Sequence, residues 1–277
     1  MVNNGMLVPI TILMIVISSR SMETQSKKKV LLLVAILATF QMLMLSTSTV
    51  LPAQASAIIF NKSNFHDPLK IDNKYFPLKP GTTTIYNGTD EDGEPTRDEF
   101  SVTNDTKVIL GITTRVVQDN ASVKGDLEES TDDWFAQDDD GNVWYMGEFT
   151  TELPSKSHEG SWEAGVKGAK AGIIMEAQPK VGDKYMQEQA KGEAEDGATV
   201  LSINEKVCVP YGCFSDVLKT EDFNLLEPEI LENKFYAPDI GNIKTVLVKG
   251  GSAEETLVQI NGEEPQQQRD NNLASVE

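Results

Sequence analysis

The chain has 277 residues, of which 24 are Lys or Arg and 43 are Asp or Glu, giving a formal net charge of -19; two are Cys and two are His. That charge repels phosphate backbones and anionic lipid surfaces at long range, which argues against nucleic acid as a partner. With His66 and His158 alone, a histidine-centred triad or a multi-histidine metal site has little to draw on.

Lys27, Lys28 and Lys29 precede an apolar run over residues 30–45, and Leu51-Pro-Ala-Gln-Ala-Ser-Ala57 follows with small residues of A-x-A type. These are the three parts of a secretory signal, so the rest of the chain is expected outside the cytoplasm, secreted or at the cell surface. Cleavage is expected after Ala55 or Ala57. Met22 is the expected start, because from Met1 a second apolar run, residues 6–18, would stand ahead of the lysines. The competing reading is a membrane anchor over residues 30–50, close to the roughly 20 residues that span a bilayer. Gln41 and the Ser46-Thr-Ser-Thr49 stretch weigh against it, and no cysteine follows the run to carry a lipid.

Arg20, the three lysines and Glu23 fall before residue 58, so 20 basic and 42 acidic residues remain, a solvated acidic coat rather than a cation store. Residues 58–260 are read as a single β domain and 261–277, with Gln266-Gln-Gln268 and almost no apolar content, as a disordered tail. Alternation runs through residues 107–119, with Val108, Leu110, Ile112, Thr114 and Val116 on one face, and through 199–209. Strands are expected at 82–88, 96–104, 107–118, 129–137, 143–150, 183–190, 198–209, 213–221, 232–237, 243–249 and 254–260. Turns are expected at 90–95, 119–122, 138–142 and 210–212, where Gly, Asp, Asn and Pro collect. Short connections make neighbours antiparallel. The fold class is therefore all-β, a meander forming a curved sheet, half-barrel or barrel, with residues 151–182 as one long covering loop.

Tyr75-Phe-Pro-Leu-Lys-Pro-Gly-Thr-Thr83, Gly160-Ser-Trp-Glu-Ala-Gly165, Val209-Pro-Tyr-Gly-Cys-Phe214 and Phe235-Tyr-Ala-Pro-Asp-Ile-Gly241 resemble the markers of a family of uncharacterised secreted prokaryotic β proteins. More distantly they are similar to curved-sheet proteins shaped like the lipoprotein-carrier half-barrel. The resemblance spans residues 64–260 and implies fold and compartment; it brings no catalytic residues. The chain departs from the pattern at Asp239-Ile-Gly-Asn-Ile and in placing cysteines on both flanks of Pro-Tyr-Gly. Read physically, Pro77, Pro80 and Gly81 fix the backbone where the chain enters its first long strand, and Pro210 and Gly212 make a hairpin corner.

No G-x-S-x-G, H-E-x-x-H, phosphate-binding glycine loop or C-x-x-C occurs, so no catalytic residue and no metal ligand is assigned and no cofactor is expected. His158 beside Glu159 could serve as a base, but a solvated loop histidine is the plainer reading, and local packing is the plainer one for His66. The loops around Gly93 and Gly141 fit a calcium loop poorly, because Gly88 and Ala136 stand where the first ligand belongs; both read as Asp-Gly turns. Trp134, Phe135, Trp144 and Tyr145 sit on adjacent expected strands, where core packing is the default and a platform for a glycan or apolar ligand the alternative. Cys208 and Cys213, the only cysteines, flank one turn in an oxidising compartment and are expected to form a disulfide. Asn61, Asn87, Asn104 and Asn120 are N-x-[ST] sequons at expected turns or strand ends.

These readings point to a non-enzymatic extracytoplasmic protein that binds an apolar small molecule or lipid on a concave sheet face. Trp162, Ile173, Ile174 and Met175 are the candidate covering residues. A cell-surface structural or interaction protein is the alternative, and a secreted hydrolase without a recognisable motif the third. Membrane contact is expected only through the N-terminal segment.

Overall fold

The computed structural model describes residues 58–261. The signal or anchor, the choice of start and all but the first residue of the tail lie outside them. The strands follow in chain order. The first five are β1 (Thr83–Thr89), β2 (Pro95–Ile109), β3 (Ile112–Val123), β4 (Asp126–Gln137) and β5 (Val143–Glu152). Then come β6 (Trp162–Glu163), β7 (Lys170–Met175), β8 (Lys184–Met186), β9 (Glu188–Gln189) and β10 (Asp196–Val209). The last are β11 (Gly212–Asn224), β12 (Leu231–Ala237), β13 (Gly241–Lys249) and β14 (Glu254–Ile260). Nothing among the described residues is helical beyond a single 3-10 turn, Lys62–Asn64.

Every pairing is antiparallel, and the order around the sheet is β8-β10-β11-β12-β13-β14-β1-β2-β3-β4-β5-β7-β9, with β6 on β5. Because β14 bonds to β1, the two ends of the meander meet and the sheet curls into a barrel. One seam stays open, and the chain itself crosses it: residues 184–186 bond to β10, and residues 188–189 bond to β7. Gly172 of β7 lets the crossing strand approach, since a Cβ there would collide with the Gln187 carbonyl.

Residues 151–182, expected as a covering loop, instead supply β6 and β7 and so form part of the wall. The cover is upstream. Asn73 donates to the Gly141 and Glu176 carbonyls at 2.9 and 3.0 Å on one side of the barrel. On the far side the Asp239 amide donates to the Lys74 carbonyl at 2.7 Å and the Tyr75 hydroxyl to the Asp216 carbonyl at 3.3 Å. Residues 73–78 therefore cross one end of the barrel as a plug, with Tyr75 and Leu78 buried. Two of the family-like markers meet here, since Pro77 lies against Gly241.

Two turns differ from expectation. The alternation over 107–119 passes straight through a hairpin: Leu110 and Gly111 both have positive φ, 52° and 76°, and make the β2–β3 turn. Residues 105 and 106, where a break was expected, lie within β2, whose ladder is irregular between Val102 and Thr106. Likewise the β3–β4 turn is Lys124-Gly125, with φ of 54° and 89°, and the stretch 119–122 stays in strand.

Candidate functional site

The barrel encloses a cavity of about 570 Å³. Its lining follows from strand periodicity, because alternate residues of each strand point inward. Along β4 these are Glu129, Thr131, Asp133 and Phe135, and the next residue but one, Gln137, accepts from the Asp72 and Asn73 amides of the plug segment. On β2 the inward order is Asp98, Phe100, Val102, and the Val102 carbonyl takes the Gly81 amide where the plug ends. On β12 it is Glu232, Lys234, Tyr236, ending beside the Asp239 turn that binds the plug. All three strands give the same polarity, aromatic or apolar at the plug and charged further away.

The floor is a run of rings. Phe76 of the plug packs edge-on against Phe100 and Phe135, with centroids 6.4 and 5.3 Å apart; Phe135 stacks on Tyr145 at 4.7 Å, and Tyr145 meets Trp162 edge-on at 5.4 Å. Trp134, Phe135, Trp144 and Tyr145 are all at most 6% exposed, so core packing describes them, although Phe135 and Tyr145 also face the cavity. Of the four candidate covering residues, Ile174 borders the cavity, whereas Trp162, Ile173 and Met175 are buried in the hydrophobic core.

Above the floor the wall is acidic. Eleven Asp and Glu side chains border the cavity among the described residues, against one cation, Lys234. Lys234 pairs with Asp222 at 3.3 Å and Glu232 at 3.6 Å. Burial alone would lower its pKa, but these carboxylates outweigh burial and hold it well above the ordinary lysine value. Asp133 and Glu148 stand directly opposite each other on β4 and β5. The Tyr145 hydroxyl contacts both, Asp133 at very short range and Glu148 at 2.7 Å. A phenol has one proton to donate, so with both acids ionised one of these contacts has no hydrogen; a proton shared within the trio satisfies it. Burial pushes Glu148 up to about 7 and Asp133 well above the carboxylate range, the latter with help from the Glu148 charge. Burial likewise raises Asp98, Asp119, Glu188 and Asp196, with Asp119 adding repulsion at Asp98 and Glu148 adding it at Glu188.

The other sequence-singled residues lie apart from this wall or at its edge. His158 is exposed, rests on Phe149 with ring centroids 4.4 Å apart and has Nδ1 2.8 Å from the Thr150 carbonyl; the neighbouring Glu159 borders the cavity and is not paired with the His158 ring. His66 pairs on the surface with Asp139 at 2.5 Å. In the 138–142 turn the buried Asp138 carboxylate accepts from the Asp140 and Asn142 amides, the Asn142 side chain and the Trp144 indole, at 2.8 to 3.1 Å, so its oxygens are occupied by the turn itself. Asp90 accepts from the Asp92 and Glu94 amides in the same way. Cys208 and Cys213 sit opposite each other on β10 and β11 and are disulfide-bonded. Asn61, Asn87 and Asn104 are exposed, Asn120 half-buried; Asn87, Asn104 and Asn120 lie inside strands rather than in turns.

No family model matches the chain, and no curated protein matches it. Among solved structures, an exported-protein candidate with a YmcC-like fold from Bacteroides fragilis is 16% identical with a TM-score of 0.41, over 68% of this chain and 99% of its own. A lipoprotein candidate from Parabacteroides distasonis is 13% identical with a TM-score of 0.40, again over 68% and 99%. A β-barrel-like protein of a domain of unknown function from Brucella abortus is 13% identical with a TM-score of 0.34, over 66% and 98%.

Proposed function

We propose that the protein is a non-enzymatic binding protein of the cell exterior that holds a small molecule inside its barrel. The carrying observation is the cavity of about 570 Å³, within the size range of small-molecule sites, closed at one end by residues 73–78 and floored by Phe76, Phe100, Phe135 and Tyr145. The Cys208–Cys213 disulfide suits an oxidising compartment, and so does the signal-like segment of the sequence. The apolar portion of a ligand has the aromatic floor to lie on. The test is native mass spectrometry of protein purified without denaturation, beside a cavity-filling Thr245→Trp variant whose folding is checked by circular dichroism. A mass increment present in the parent and absent in the folded variant supports the reading; no increment, and no binding by any of the probes named below, overturns it.

A further inference from the structure

The interior site proposed above also discriminates between chemical classes of ligand, and this inference rests on that reading. The aromatic floor alone would suit a hydrocarbon. The wall above it would not, because carboxyl groups from β2, β3, β4, β5, β9, β10, β11, β12 and β14 face the same space and Lys234 is occupied by Asp222 and Glu232. Ionised together, these groups would repel one another across a region where water screens them poorly, and a proton or a counter-charge in the wall relieves that repulsion. An anionic lipid or fatty acid would add to the repulsion.

A second observation lies within the wall. The Asp98 carboxyl shares a hydrogen bond with Asp119, another acid, but its Oδ1 is shielded from water and has no hydrogen-bond partner, in contrast to the Asp138 carboxylate with its four donors. A lone acceptor of this kind lacks a donor. A metal ion is the less suitable donor, since the acids are spread round the wall and no group of three or more His, Cys, Asp or Glu among the described residues is gathered closely enough to hold one. An ammonium group carries up to three N–H donors and a charge, and it needs no convergent ligand set.

We propose that the cavity binds a small organic amine, its protonated amino groups lying in the carboxylate band near Asp98, Asp133 and Glu148 and its hydrocarbon part resting on Phe100, Phe135 and Tyr145. The ring faces add a cation–π attraction for any ammonium that reaches the floor. Because the band holds protons in the absence of a cation, binding releases them.

The experiment is isothermal titration of the folded protein with four probes of matched reach or charge: 1,8-diaminooctane, octane-1,8-diol, octanedioate and calcium chloride. It is run at about pH 7 in two buffers of different ionisation heat, and repeated at about pH 6 and about pH 8. The diamine is expected to bind with proton release, about tenfold more tightly at the higher pH, and about tenfold more weakly to Asp98→Asn or Glu148→Gln. Circular dichroism checks that both variants fold, and Glu148→Gln relieves repulsion, so its loss of binding reports the site. Binding of the diol at least as tightly as the diamine keeps the cavity as a site and overturns the amine inference. A response to octanedioate or calcium alone overturns it as well. If none of the four binds and the native protein carries no added mass, both the amine inference and the interior site fail.

Discussion

Two acidic regions lie on one strand hairpin, β4 and β5, and behave in opposite ways. At its turn, the Asp138 carboxylate is buried yet collects four donors within 3.1 Å, two of them from the backbone. Midway along the same hairpin, Asp133 and Glu148 face each other and have one phenol between them. Burial of a carboxylate is therefore not one physical situation. Where donors converge, the charge organises the local fold; where acids converge, the charge opposes it until a proton or a counter-charge relieves it. Only the second kind is open to a ligand.

The largest effect that sharpens this comparison is expected at the turn. Asp138→Ala removes the acceptor for all four donors and leaves the Trp144 indole and Asn142 amide without their partners in a buried setting. Unfolding in urea should show a loss of about 4 kcal/mol, in line with several buried hydrogen bonds lost together. Asp138→Asn keeps one acceptor oxygen but points an amino group at donors, so it should recover less than half of that. If Asp138→Ala costs under about 1 kcal/mol, the hub does not hold the turn.

The next effect is at the trio. Tyr145→Phe keeps the ring stacked on Phe135 and takes away the hydroxyl that separates Asp133 from Glu148. It should cost about 2 kcal/mol at pH 8 and less at pH 5, where the two acids can share a proton directly. An equal cost at both values would mean that the hydroxyl acts by packing and not by joining the acids.

How much of this was legible in the sequence depends on what a strand pattern can say. The places of β1 to β5 and β10 to β14, the 138–142 turn and the pairing of Cys208 with Cys213 follow from alternation, turn chemistry and the shortness of one loop, whereas β6 and β7 fall in the stretch that reads as a loop and the single strand expected at 183–190 is divided into β8 and β9. The Leu110-Gly111 turn was hidden because alternation continues across it unbroken, and a two-residue turn with a bulky first member gives a weak signal. The acidic cavity was hidden for a deeper reason. A strand such as Glu129, Thr131, Asp133 alternating with Ser130, Asp132 and Trp134 shows that a polar face exists, but period two cannot say whether that face meets bulk solvent or a wet interior. Only closure of the sheet, through the β14–β1 pairing, decides it. The plug was hidden similarly, because it is held at long range by the Asn73 side chain, the Lys74 carbonyl and the Tyr75 hydroxyl, whose partners no local pattern indicates.

A smaller effect, opposite in sign to that of Asp138, is expected from Glu148→Gln. Glu148 is raised from 4.5 to about 7 in the fold, mainly by burial. The folded protein then binds more protons than the unfolded chain between those values, so the contribution is fully present below about pH 4.5 and is lost as pH rises through about 7. Wild-type stability should thus fall from about pH 5 to about pH 8, and Glu148→Gln should flatten that slope and gain about 1 kcal/mol at the upper end. The diamine probe should flatten it too if an amine belongs in the band. A Glu148→Gln protein less stable than the parent at pH 8 would place Glu148 with Asp138 among the acids that hold the fold.

The smallest effect is the one that keeps the last from being misread. At a net charge of -19, removing any negative charge relieves some general repulsion, so a gain from Glu148→Gln could reflect the whole molecule and not the cavity. Glu229 tests this, since it pairs with Lys249 at 2.9 Å with its side chain 84% exposed. Water screens that pair, and such pairs contribute little, typically under about 1 kcal/mol. Glu229→Gln removes the same unit of charge from the exterior. Its effect should stay within about 0.5 kcal/mol of zero, without a change in the slope of stability against pH. Matching gains from the two substitutions at pH 8 would mean that global charge dominates and that the interior acids are no more strained than those on the surface. A gain confined to Glu148→Gln would locate the repulsion between β4 and β5, where the Tyr145 hydroxyl has one proton for two carboxyl groups.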